Sequence, residues 1–196
     1  MADWFRNTDW DEAIAAEFER RLARSRQPAQ HLVLQGYTLL TRHPDLAERL
    51  LERAIMLGDP QQTARAALYR GTALAILGRF DAAIEALELA MATEVRFPEV
   101  RTGAWLDHAL LVAFARRETA YGAALESLSV ERALPFEVQS PTALIADTLM
   151  RGAQGQDVAQ AAQAALELLG HGAPMPTAGL SHAALSERLM ALADLE

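Results

Sequence analysis

Residues Ala64–Val95 read ARAALYRGTALAILGRFDAAIEALELAMATEV, and the spacing of small and large residues in this stretch decides the fold. Two helical segments of alternating apolar and polar residues are separated at Gly78, which supplies the left-handed backbone that ends a helix. Gly71 lies in the middle of the first segment, where glycine is costly unless a neighbouring helix comes too close for a side chain. Phe80 plugs the turn, and Asp81 opens the second segment, where a negative charge complements the helix dipole. Ala83 and Ala90, two turns apart, face the partner helix, with Ile84 and Leu87 filling the space between them.

The preceding stretch, Ala29–Pro60, is a looser copy. Gly36 stands 35 residues before Gly71, while Ala47 and Ala54 stand 36 before Ala83 and Ala90, so the inter-helix turn is one residue shorter. That turn uses His43-Pro44, with proline placed to start the second helix. The repeat then loosens. Pro98 is expected to open a helix through Trp105, Leu106, Ala109, Leu110 and Phe114, with Tyr121, Ala124 and Leu128 marking its partner. A fourth pair is expected from Ser140, as a cap, to Met150 and from Asp157 to Leu169. After the Gly/Pro-rich loop Leu169–Leu180, Ser181 caps a last helix with the stripe Leu185, Leu189 and Leu192. At the other end, Asp9 with Glu12 predicts a capping box, and Trp10, Ile14, Phe18 and Leu22 form one apolar stripe of a helix ending near Ser25.

Gly71, Leu74, Gly78, Phe80, Ala83, Leu87 and Ala90 together resemble a tetratricopeptide (TPR) repeat, with Ala67 in place of the usual tryptophan. The whole chain is similar to an uncharacterised bacterial TPR-like family. That likeness is carried by Trp4-Phe5-Arg6-Asn7-Thr8, Gln35-Gly36-Tyr37-Thr38-Leu39, the repeat around Gly78 and the closing leucine-rich helix. The resemblance implies an all-α, TPR-like solenoid of about ten helices in antiparallel pairs, forming one domain over 1–196. Residues 1–27 would cap the N-terminal end, 28–170 would hold the helix pairs, and 171–196 would form a loop and a C-terminal capping helix. Solenoid ends need such caps because a stacked array leaves an uncovered apolar face at each end.

Composition agrees with helix and removes several chemistries. Alanine (40) and leucine (30) dominate the 196 residues, while β-branched and aromatic residues are sparse. All 18 basic residues are arginine, which excludes a P-loop lysine, a Schiff-base lysine and a kinase strand lysine. The absence of cysteine excludes disulfides, thiolate metal ligands and a cysteine nucleophile. With 26 acidic groups the net charge is −8, and −5 of it falls in residues 131–196, which argues against nucleic acid as a partner. The one basic cluster, Arg20, Arg21, Arg24 and Arg26, follows Glu17 and Glu19 and reads as a solvated helical face. No run is apolar enough for a signal peptide or a membrane span, so a cytoplasmic protein with no membrane partner is expected.

No catalytic constellation emerges. His31, His43, His108, His171 and His182 lack metal-ligand spacing, and no G-x-S-x-G elbow exists, so no metal or cofactor is expected. Asp107-His108 are adjacent on a helix, so their side chains point about 100° apart.

In a TPR-like superhelix the first helix of each pair lines a concave groove for a peptide or partner protein. By register the groove-facing residues are Gln30, Val33, Leu34, Tyr37 and Thr41 in the first pair, and Arg65, Leu68, Tyr69, Thr72 and Ile76 in the second. Val33, Tyr37, Leu68 and Thr72 stand where chaperone-binding TPR domains carry the lysine and asparagine of their carboxylate clamp, so that mode is not expected. The sequence reading is thus a non-enzymatic interaction module, with homo-oligomerisation left open. An alternative is an immunity or antitoxin protein whose acidic surface neutralises a basic toxin.

Overall fold

A computed structural model describes residues 3–129, 141–170 and 179–193. Ser140, His171 and most of the Gly/Pro loop lie outside these residues. The described residues form ten α-helices and no strand: α1 (Glu12–Leu22), α2 (Pro28–Leu39), α3 (Pro44–Met56), α4 (Pro60–Ile76), α5 (Phe80–Arg96), α6 (Ala104–Phe114), α7 (Tyr121–Ser129), α8 (Pro141–Ala153), α9 (Ala159–Gly170) and α10 (His182–Ala193). None of these helices is long and apolar enough to cross a membrane. The chain divides into two compact units, Met1–Thr102 and Gly103–Glu196.

In the first unit α2, α3 and α4 each start on proline, whose fixed φ and missing N–H suit the first helical position. Here α2 packs on α3, α3 on α4 and α4 on α5, and α2 also touches α4. Gly78 ends the α4 region at φ 73°, as the spacing requires. The two glycines inside helices are sites of close approach. A Cβ built on Gly71 would lie 2.9 Å from Leu87 Cγ and 3.2 Å from the Ala83 carbonyl oxygen. One built on Gly36 would lie 2.7 Å from Leu51 Cγ and 3.4 Å from the Ala47 oxygen. Leu51 and Leu87 are 36 residues apart, the same offset as Ala47 and Ala83, so one packing contact is used twice. The unit's core joins Phe18, Leu22, Leu32, Leu39, Leu50 and Leu51 under Trp4, Phe5 and Trp10.

Several expected boundaries move. Asp11, not Asp9, caps α1: its Oδ1 accepts from the Ile14 N–H at 2.8 Å, while Asp9 pairs with Arg42 at 2.7 Å. The helix stops at Leu22 rather than near Ser25, so Arg24 and Arg26 sit on the connection to α2 and not on a helical face. Pro98 does not open α6; the helix starts at Ala104 after Gly103, whose φ of 80° turns the chain.

In the second unit α6 packs on α7 and α8, α8 on α9, and α9 on α10. Ten of the 11 residues of α6 are buried, as expected of a helix that is apolar apart from Asp107 and His108. Ser181 caps α10, accepting from the Ala184 N–H at 3.2 Å, and Leu185 and Leu189 are fully buried.

Candidate functional site

Gln30, Val33, Leu34 and Tyr37 follow the i, i+3, i+4, i+7 pattern and so share one face of α2. Arg65 and Tyr69, one turn apart on α4, stand beside them. These six line a single cleft of about 370 Å³, together with Arg6, Thr38 and Gln62. Tyr37 is 55% exposed, and its ring lies 4.7 Å from that of half-buried Tyr69 at a tilt of 44°. Burial pushes the Tyr69 phenol above its ordinary pKa, with Tyr37 adding to the shift and Arg65 opposing it. Arg65 forms no ion pair among the described residues, so its guanidinium is available to an anionic group.

The other four register-selected residues are not part of this cleft. Thr41 falls beyond the C-cap of α2 and is exposed. Leu68 and Thr72 are half-buried and tied to each other, the Thr72 hydroxyl donating to the Leu68 carbonyl at 3.3 Å. Ile76, 38% exposed, sits at the last turn of α4, away from the lining set.

Thr38 and Gln62 were within reach of the register argument: Thr38 follows Leu34 by four residues, and Gln62 precedes Arg65 by three. Arg6 was not, because long-range hydrogen bonds place it. Gln35, fully buried on α2, donates from Nε2 to the Asn7 carbonyl at 2.7 Å. Its Oε1 accepts from the Asn7 backbone N–H at 3.0 Å and from Asn7 Nδ2 at 3.2 Å. Asn7 Nδ2 also donates to the Trp4 carbonyl at 2.8 Å. Both ends of the buried amide are satisfied, which pins the N-terminal segment to α2 and leaves Arg6 at the edge of the cleft.

Asp107 and His108 are 7% and 6% exposed within α6. Burial raises the Asp107 carboxyl to about 7, and its Oδ1 has no hydrogen-bond partner among the described residues. Such a carboxyl titrates near neutrality but offers little surface to a substrate. Among the described residues, no group of three His, Asp or Glu side chains converges to hold a metal ion.

No protein-family model, curated protein or solved structure matches the chain.

Proposed function

We propose that the chain is a TPR-like helical-repeat module, without enzymatic activity, that holds a segment of another protein in the cleft between α2 and α4. The observation that carries this reading is the convergence of six register-selected residues, Gln30, Val33, Leu34, Tyr37, Arg65 and Tyr69, on one cleft. The doubled contact of Gly36 with Leu51 and Gly71 with Leu87 supports the repeat assignment. The lining defines the ligand's chemistry. Tyr37 and Tyr69 offer aromatic area at low entropic cost, Val33 and Leu34 an apolar floor, and Arg65 a cation at the border, with Arg6, which also pairs with Asp3 at 3.8 Å, beside it. A peptide with an aliphatic or aromatic side chain next to a carboxylate fits that combination.

Selection from a displayed peptide library against the full chain tests this directly. The expected binders combine an apolar anchor with Asp or Glu. Tyr37→Ala/Tyr69→Ala should weaken their binding at least about tenfold, equivalent to about 1.4 kcal/mol. Tyr69 packs partly on the core, so Tyr37→Ala alone, at a mostly exposed residue, is the second variant; it should weaken binding with far-UV circular dichroism as in the wild type. Equal affinity of wild type and double variant for every selected peptide overturns the groove assignment.

A further inference from the structure

A second and larger cleft, of about 680 Å³, lies where α1 gives way to α2, and it has a different chemistry. It is lined by Arg20, Arg21, Arg24 and Arg26, with Trp4 and His31 among its other walls. Four guanidiniums in one concavity are conspicuous in a chain whose net charge is −8.

Not all of that charge is cancelled locally. Glu17 takes Arg20 and Arg21 together, accepting from Arg20 Nε at 2.8 Å and from Arg21 Nε, and this holds its carboxyl below the usual range. Glu19 is committed to Arg53, from which it accepts bonds of 2.6 and 2.9 Å. Arg24 and Arg26 form no ion pair among the described residues. Complementing the helix dipole explains arginines in the last turn of α1, where Arg20 and Arg21 sit. It does not explain Arg24 and Arg26, which follow the end of the helix.

The rest of the lining is held in place. The Gln27 N–H donates to Ser25 Oγ at 2.9 Å, and Ser25 Oγ in turn is hydrogen-bonded to His31 Nδ1 at 2.8 Å. The His31 ring is stacked on Phe5 at 4.5 Å and tilted against Trp4 at 4.8 Å. Burial lowers its pKa, so at neutral pH the imidazole is an uncharged hydrogen-bonding group. Guanidinium forks pair with oxyanions through two parallel hydrogen bonds, and positive charge gathered in a concavity attracts anions more strongly than the same charges spread over a surface.

We propose that this cleft binds a small molecule bearing a diphosphate group, with Arg24 and Arg26 as the principal contacts. Two unpaired arginines, plus a pair sharing one carboxylate, leave an excess of about three positive charges, the complement of a multiply charged phosphate. This site is distinct from the peptide groove and does not depend on it.

Isothermal titration of the full chain with pyrophosphate and with ADP, in phosphate-free buffer, tests the assignment. The arms separate the charged group alone from the same group on an organic body. The wild type is expected to bind at least one of them saturably at sub-millimolar concentration, with affinity falling several-fold as salt is raised. Arg24→Gln/Arg26→Gln should weaken that binding at least tenfold with the melting temperature unchanged, while Arg96→Gln, outside the cleft, should bind as the wild type does. Failure of both probes to saturate by 10 mM, or equal weakening by Arg96→Gln, overturns the proposal. So does unaltered affinity in the double variant. Tight binding of a 12-nucleotide single strand without binding of either probe would overturn it in favour of a nucleic-acid surface.

Discussion

The two units of the molecule solve the same problem, packing short alanine-rich helices, to different standards. In the first unit one contact is used twice: Gly36 receives Leu51, and Gly71 receives Leu87. Three of its four buried polar residues have side-chain partners, and the fourth, Gln62, lines the cleft. Gln35 is closed by Asn7, Glu48 accepts from Arg70 at 2.9 Å, and the Thr93 hydroxyl donates to the Leu89 carbonyl at 2.8 Å. In the second unit Asp107 Oδ1, Tyr121 Oη, Thr142 Oγ1 and Thr148 Oγ1 are buried without hydrogen-bond partners among the described residues. Each such group forfeits its hydration, at about 1–3 kcal/mol. Regular repetition therefore accompanies polar satisfaction, and where the repeat loosens the interior carries a penalty.

Truncating the repeated contact should have the largest effect. Leu87→Ala removes a fully buried side chain that α4 was shaped to admit, and about 3 kcal/mol of stability should go with it. Leu51→Ala, at the equivalent place, should cost a similar amount. Urea titration followed by hydrogen exchange in α2–α5 measures both. Costs differing by more than about 2 kcal/mol would show that the two contacts are not equivalent.

Asp107 gives the opposite sign in the second unit. Its carboxyl titrates at about 7 in the folded protein against an ordinary 3.8, so between these values the folded state binds the extra proton. Stability from this group is therefore greatest below about pH 4 and declines as pH rises through 7. Asp107→Asn removes the ionisation and should stabilise the second unit by about 1–3 kcal/mol at pH 8. The gain should shrink steadily as pH falls toward 4. A gain independent of pH would trace the effect to packing rather than to charge.

How much of this could be read in advance follows the same division. Gly71, Gly78 and Ala83 disclosed their roles because glycine inside a helix and glycine at its end have few physical explanations. The face Gln30, Val33, Leu34 and Tyr37 followed from helical period alone. The Asn7–Gln35 clamp spans 28 residues and has no periodic signature, so the placement of Arg6 was hidden. The arginine cleft was missed for a narrower reason. Arg20, Arg21 and Arg24 look like one helical face, with Arg26 just beyond it, only if α1 continues to Ser25, and it ends at Leu22. The polar burial of the second unit was equally illegible: Thr142 and Thr148 are ordinary surface residues until a neighbour covers them, and the spacing that marked Tyr121 for its helix pair says nothing of its hydroxyl.

The smallest effect separates the units most cleanly, because it uses one substitution with opposite outcomes. Alanine is the better helix former than glycine by about 1 kcal/mol, so Gly→Ala inside a helix should stabilise wherever there is room. At Gly122 on α7 no atom of the described residues lies within 4 Å of the added Cβ, and Gly122→Ala should gain about 0.5–1 kcal/mol. At Gly71 the same Cβ meets Leu87 Cγ at 2.9 Å and a backbone oxygen at 3.2 Å, so overpacking of about 1–3 kcal/mol outweighs the propensity gain. Gly71→Ala should therefore lose about 1 kcal/mol in urea unfolding, and the loss should diminish when it is made on Leu87→Ala, where the obstructing side chain is gone. A loss unchanged in that background would mean that the Ala83 backbone, not Leu87, sets the helix separation, because only a contact between the two mutated side chains makes their effects non-additive.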